Sequence, residues 1–205
     1  MNFNEQQLFW KEKYAKDYIS KNNNYSIDNG VKCWAQMLQR AEGVSSILEC
    51  GSNIGKNIGL LNHVLPSAQK SIIEISPDAY EIVTSKYELA CSFNGPIVAS
   101  NFEKESFDLT FTMGVLIHIH PDDLVANMQK LYEYSNKYIL IGEYFNRTPT
   151  MIEYHGEMDK LFKRDFGKTF MENFNVDLVD YGFLWGHLYD DAGFDDITYW
   201  LFKKK

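Results

Sequence analysis

Cysteine is scarce in this chain: there are three, Cys33, Cys50 and Cys91, and none stands at CxxC spacing or at a metal-ligand interval from a histidine. A disulfide framework and a structural zinc site are therefore not expected, and the pattern fits a reducing compartment. Positive charge is also short, with 20 Lys and Arg against 28 Asp and Glu and a formal charge of −8. Phosphate backbones are normally met by clustered Lys and Arg, so no nucleic-acid partner is expected. The one basic run, Lys203-Lys204-Lys205, reads as a solvated tail. No apolar window approaches the roughly 20 residues of a membrane span, and the start of the chain lacks a basic region followed by an apolar one. Membrane insertion is not expected, and a cytoplasmic protein is. Repeats, linkers and low-complexity segments are missing too. What remains is 205 residues at 45% hydrophobic content, enough for one domain with a full layered core and too short for two large ones.

Within that domain the stretch Ile47-Leu48-Glu49-Cys50-Gly51-Ser52-Asn53-Ile54-Gly55 stands out. An apolar run ends on a carboxylate and passes at once into a glycine-punctuated turn before a helical pattern, which predicts a strand, a tight loop and a helix N-terminus. Such a turn lets the backbone approach a nucleotide-like ligand closely. Two features depart from the dinucleotide pattern GxGxxG: Glu49 precedes the first glycine, and Asn53 stands where the second would fall. Asn enters the left-handed region more readily than most residues, so the turn survives the change. A carboxylate at the strand end repels a pyrophosphate but suits the ammonium of an amino-acid moiety, which points to S-adenosylmethionine (SAM) rather than NAD. The plain alternative is a surface strand, turn and helix with no ligand.

The rest of the chain alternates strand and helix patterns. Residues 6–21 and 31–41 read as two helices ahead of the first strand, so the region 1–43 is free to lie across a pocket as a lid, with Tyr18 facing substrate or simply packing. A strand at 70–75 ends on Glu74, about 20 residues after the glycine turn, where an acidic residue can bond ribose hydroxyls. A short strand is predicted at 96–99, with Ser100 and Asn101 at its end, and a buried one at 106–113, ending on Met113. His118 and His120 follow before a helix opened by Pro121, close to where ligands sit in an open parallel sheet. Their spacing brings no third ligand, so no metal is expected. After a strand at 137–143 comes a polar and aromatic insertion, 144–168, where substrate contacts belong. Strands at 176–185 and 197–202 lack a crossover helix and must pair antiparallel. The expected architecture is α/β: a Rossmann-like, mostly parallel seven-stranded sheet with helices on both faces and a C-terminal antiparallel hairpin.

This order of elements resembles the class I SAM-dependent methyltransferases. More closely, the chain resembles methyltransferases associated with pseudaminic-acid and related surface-sugar gene clusters. The residues that carry it are Ile47 to Gly55, Ile73-Glu74-Ile75, Thr112-Met113-Gly114-Val115-Leu116-Ile117-His118-Ile119 and Leu161-Phe162-Lys163-Arg164-Asp165-Phe166. The resemblance runs from about Phe9 to the C-terminus, and Cys50 departs from the small or apolar residue usual there. It implies SAM as cofactor and S-adenosylhomocysteine (SAH) as product. Glu49, Gly51, Ser52, Asn53 and Gly55 would surround the methionine and ribose, with Met113 nearby; Glu74 would bind the ribose, Ile75 would pack on adenine, and Ser100 or Asn101 would face the adenine edge. His118, then His155, would take the proton of a hydroxyl acceptor, and Tyr18, Glu143, Tyr144, Tyr154, Lys163 and Arg164 would contact the acceptor. That acceptor would be a small molecule methylated on O or N: a surface-polysaccharide precursor (capsule or nonulosonate-type sugar) or a phosphorylated modifying group met by Lys163, Arg164 and Arg147. A homodimer is one option. The alternative is a non-catalytic SAM- or nucleotide-binding subunit acting through a partner enzyme.

Overall fold

Ser46–Cys50 (β1), Gln69–Glu74 (β2) and Ser135–Glu143 (β5) are buried along nearly their whole length, the pattern of strands covered on both faces. The structure, a computed structural model, describes residues 5–13, 25–154 and 156–205. Together with Cys91–Asn94 (β3), Phe107–Met113 (β4), Val176–Leu184 (β8) and Ile197–Lys204 (β9), these strands form one sheet of order β3-β2-β1-β4-β5-β9-β8. The first five are parallel, and β9 runs antiparallel to both β5 and β8. The strand order reverses between β1 and β4, so a crevice opens at their carboxyl ends, where ligands bind in such sheets. Register makes those ends coincide: Glu49 of β1 lies beside Ile72 and Phe111, and Met113 lies beside Gly142.

Helices cover both faces. Ile27–Leu38 (α2), capped by the Ser26 side chain, and Lys56–Val64 (α3) bury one face through Trp34, Met37, Leu60 and Leu61. Trp34 is fully buried, and its ring meets Phe111 edge-on at 4.9 Å. Pro121–Tyr134 (α5) and Phe166–Asn173 (α6) close the other face through Leu124, Met128, Phe166 and Phe170. Pro77–Lys86 (α4) starts where the Ser76 hydroxyl caps it and Pro77 fits the first turn, as the sequence predicts. The short α1 (Glu5–Leu8) and a π turn, Phe9–Lys13, make up the described part of the N-terminal region.

Two elements differ from expectation. The edge strand is Cys91–Asn94, and Ile97–Ala99 is a 3-10 turn. The apolar run 96–99 suggested a strand, but Pro96 has no N–H for a ladder, whereas the half-buried Cys91 to Asn94 pair with Ser71 to Glu74 and carry little hydrophobic signal. The insertion after β5 is a two-stranded hairpin, Thr150–Tyr154 (β6) with Glu157–Lys163 (β7), turning at Gly156, whose φ of 81° suits glycine.

Candidate active site

A cavity of about 220 Å³ opens at the switch point, lined by the turn after β1, the ends of β2 and β4, the loop after β3, α1, α5 and residues 193–197. The turn after β1 takes the conformation its composition predicts: Gly51, Asn53 and Gly55 have φ of 87°, 47° and 79°. A Cβ on Gly51 would stand 2.5 Å from a Val115 methyl, so this residue must be bare for two reasons. Gly51→Ala is expected to lower the melting temperature by at least about 4 °C. Left-handed strain of roughly 1–2 kcal/mol adds to an overlap of roughly 1–3 kcal/mol, and each kcal/mol is worth about 2–4 °C at this size. A thermal melt within a degree of wild type would contradict this.

Glu74 locks the two cofactor-side loops together. Its carboxylate accepts from the Asn53 amide at 2.6 Å and the Ser76 amide at 2.8 Å while lining the cavity. Burial raises its pKa, against the opposing pull of the backbone donors. Ile75, Gly95, Pro96 and Ile97 continue that wall as an apolar slot.

Glu49 is set one residue behind the wall. Asn57 lines the cavity and donates its amide to Glu49 Oε1 at 2.7 Å, while Trp34 Nε1 donates to Asn57 Oδ1 at 3.4 Å. Glu49 Oε2 is buried and has no partner among the described residues. Desolvation pushes this carboxyl up, opposed first by the Asn57 hydrogen bond and then by Lys56. Lys56 is lowered by its own burial; its Nζ donates to the Gly193 carbonyl at 2.6 Å and stands 4.8 Å from the Phe194 ring centre.

On the opposite side, the turn Leu116–His118 is held from beneath by Glu143. Its carboxylate accepts from the amides of Val115, Leu116 and Ile117 at 3.1, 2.9 and 3.2 Å. The group is fully buried, and desolvation raises it to about 7 in spite of those donors. Glu143 therefore anchors backbone rather than facing the cavity. In Glu143→Gln the amide nitrogen must confront at least one N–H. Stability is expected to fall by about 1–3 kcal/mol, read by urea unfolding; an unchanged midpoint would contradict the anchor role.

The anchored turn presents His118 to the cavity. His118 Nδ1 lies 2.9 Å from the Lys160 carbonyl of β7, which can only accept, so Nδ1 carries the hydrogen and the basic lone pair is on Nε2. The ring packs on Trp10 with centroids 4.0 Å apart, and the Gln6 side-chain amide donates to the His118 carbonyl. Desolvation lowers this imidazole to about 4, partly offset by the Lys160 contact.

Of the residues singled out in the sequence, Gly51, Ser52, Asn53, Glu74, Ile75, Met113 and His118 meet around this cavity. Gly55 ends the turn behind it, against Val83 and Tyr87. Ser100 does not reach it: its hydroxyl bonds the Ile97 carbonyl and the Tyr134 hydroxyl in the core, and Asn101 is exposed. Tyr144 donates to Asp195 at 3.0 Å and stacks under Lys163, while Arg164 lies between the rings of Phe162 and Phe166. None of these three lines the cavity. Tyr18, His155 and the side chain of Tyr154 lie outside the described residues. No metal-holding cluster occurs among the described residues. Missed in the sequence were Lys56 and Asn57, although both open the helix straight after the glycine turn; Gln6, four residues before Trp10, carried the same helical-face signal.

Neither a family model nor a curated protein sequence matches the chain. Solved structures do. A SAM-dependent methyltransferase from Leishmania major superposes with a TM-score of 0.76 at 14% identity, covering 97% of this chain and 82% of that one. The chain has the SAM-dependent methyltransferase fold. Synechocystis magnesium protoporphyrin IX methyltransferase, solved with SAM, gives a TM-score of 0.69 at 12% identity over 100% of this chain and 99% of that one. The 1,6-didemethyltoxoflavin N1-methyltransferase of Burkholderia thailandensis, solved with its substrate and SAH, gives 0.69 at 12% identity over 100% and 92%.

Proposed function

We propose that this protein, one domain over residues 1–205, transfers a methyl group from SAM to an oxygen or nitrogen of a small molecule. The observation that carries this reading is the convergence on one cavity of the Gly51–Gly55 turn, Glu74 and His118. The residues suit the cofactor. Glu74 spends two acceptor positions on backbone amides and keeps others for ribose hydroxyls. Ile75 and Ile97 offer apolar faces for a flat base. Lys56 suits a carboxylate, and the Glu49 oxygen behind Asn57 is left without a partner among the described residues. Gly114 lines the cavity, and a Cβ there would meet no protein atom within 4 Å, so the wall is bare where a ligand passes.

When bound, SAM supplies an electrophilic methyl on a sulfonium. The chain's work is alignment and proton removal. Trp10 and the Lys160 carbonyl fix the plane of His118, which stays neutral and takes the acceptor's proton. Of the region 1–43 expected to form a lid, Gln6 and Trp10 line the cavity while α2 packs on the sheet instead, and the insertion 144–168 acts through its hold on His118. The finer assignment suggested by sequence resemblance, a cytoplasmic enzyme acting on a surface-polysaccharide precursor, has less support: Lys163 and Arg164 lie off the cavity and Arg147 is exposed.

SAH at 100 times its Kd should add about 2.7 kcal/mol of stability, a rise of roughly 5–10 °C in melting temperature. Methyl-labelled SAM should pass its label to a small molecule in extracts. No stabilisation by SAM or SAH, with no transfer, would overturn the reading; tight binding without turnover would favour a non-catalytic subunit.

A further inference from the structure

Neither residue that the sequence offered for the adenine edge reaches the cavity: Ser100 is spent in the core and Asn101 is exposed. A third polar side chain stands in that place. α5 packs beside the Ile97–Ala99 turn, where Lys130 Nζ and the Tyr134 hydroxyl both donate to the Ser100 carbonyl, at 3.0 and 2.7 Å. Asn127 lies three residues before Lys130 on the same helix face. It lines the cavity along with Ile75 and Ile97, the apolar slot, and is only 5% exposed.

One end of this amide is already assigned. Asn127 Nδ2 donates to the Asp123 carbonyl one turn back at 2.8 Å, and a carbonyl can only accept. Flipping the amide would set Oδ1 against that carbonyl, acceptor to acceptor. Among the described residues none donates to Oδ1, so a buried acceptor of fixed orientation is left over at the cavity wall. Adenine carries a donor that suits it, the exocyclic amino group at position 6, whereas hypoxanthine carries a carbonyl there. A site built around such a donor rejects the analogue that lacks it, because its own buried acceptor is then left bare.

We infer that Asn127 selects the base of the cofactor: its Oδ1 accepts from the amino group of adenine while Ile75 and Ile97 hold the ring. This rests on the methyl-transfer reading above. The full chain is titrated by calorimetry with SAH and with S-inosylhomocysteine, which differs from it only in the carbonyl at position 6 and the N1 hydrogen that goes with it. Wild type should bind SAH at least about 30-fold more tightly. Asn127→Ala should weaken SAH about tenfold and leave S-inosylhomocysteine within about threefold, so that the preference collapses. Asn127→Ser should lose the preference too, since a hydroxyl can turn to donate or to accept; thermal melts establish that each variant is folded. Equal binding of the two ligands by wild type would overturn the inference, as would a preference that survives in either folded variant. Equal weakening of both ligands would also overturn it, leaving Asn127 a helix-packing residue alone. No binding of SAH by wild type would instead remove the methyl-transfer reading, and this inference with it.

Discussion

Glu74→Ala is expected to weaken SAH binding by at least 100-fold, the largest affinity loss of any single change at this site. The carboxylate does two jobs at once. It accepts from the Asn53 and Ser76 amides, tying the turn after β1 to the cap of α4, and it faces the cavity where ribose hydroxyls would donate. Hydrogen bonds to a charged group are worth about 1.5–3 kcal/mol each, and a buried donor left bare costs about 1–3 kcal/mol. Losing two ribose bonds alone therefore exceeds the roughly 2.7 kcal/mol that a 100-fold change in Kd represents. The turn also loosens, because Asn53, held at φ 47°, loses the acceptor that fixes its amide. Glu74→Gln separates the two jobs: it can still accept through one oxygen but confronts a backbone donor with its NH2, so an intermediate loss is expected. Proton linkage gives a second readout. Burial holds this carboxyl above its ordinary range, so the folded state binds its proton more tightly than the unfolded state. That contribution is present below the ordinary carboxylate pKa and lost as pH rises through the raised value, and Glu74→Ala should remove it. Calorimetry with SAH, and urea midpoints measured from pH 4 to 8, check both. An SAH affinity within tenfold of wild type would refute the role.

The order of elements was legible because three strands of the parallel half are apolar runs closed by a recognisable stop: Gly51 after β1, Ser76-Pro77 after β2, Gly114 after β4. Asn53 was legible as a left-handed residue because its side chain is among the few that tolerate that region. The edge strand was not, since Cys91 to Phe93 are only half buried, Asn94 is exposed, and nothing in them alternates. The deeper difficulty lay in telling acidic strand ends apart. Glu49, Glu74 and Glu143 each end an apolar strand, and spacing alone marks all three as site residues. Tertiary contacts assign them differently: Glu74 to the cavity wall, Glu49 behind Asn57, and Glu143 beneath the amides of 115–117. Ser100 failed for a related reason, because the Tyr134 hydroxyl that claims it comes from a helix 34 residues away. Backbone partners leave no trace in sequence at all, and the Lys160 carbonyl that sets the His118 tautomer is one.

His118→Asn should lower kcat for a hydroxyl acceptor by roughly 100-fold, the low end of a general base's usual worth because an imidazole lowered to about 4 is a weak base, and leave SAH affinity within about threefold. The geometry gives this residue one orientation: Nδ1–H is committed to the Lys160 carbonyl, and the ring is packed on Trp10. It also sets an unusual pH response. An ordinary histidine base titrates near 6.5 and gives an acidic limb there. Here desolvation lowers the imidazole to about 4, so it stays neutral, and kcat/KM should be flat from about pH 5.5 to 8 unless the acceptor itself titrates. The same shift destabilises the fold in acid. Between about 4 and the unfolded value near 6.5 the unfolded chain binds the proton that the folded chain refuses, so stability falls as pH drops through that window. His118→Asn should lose this part of the acid sensitivity. An acidic limb centred near pH 6.5 with a non-titrating acceptor would mean the imidazole is solvated during turnover, and the buried, carbonyl-oriented base would have to be abandoned. Unchanged kcat in His118→Asn on a hydroxyl acceptor would go further and move proton removal to another residue, whereas unchanged kcat on an amine acceptor is expected, because an amine lone pair attacks without prior loss of a proton.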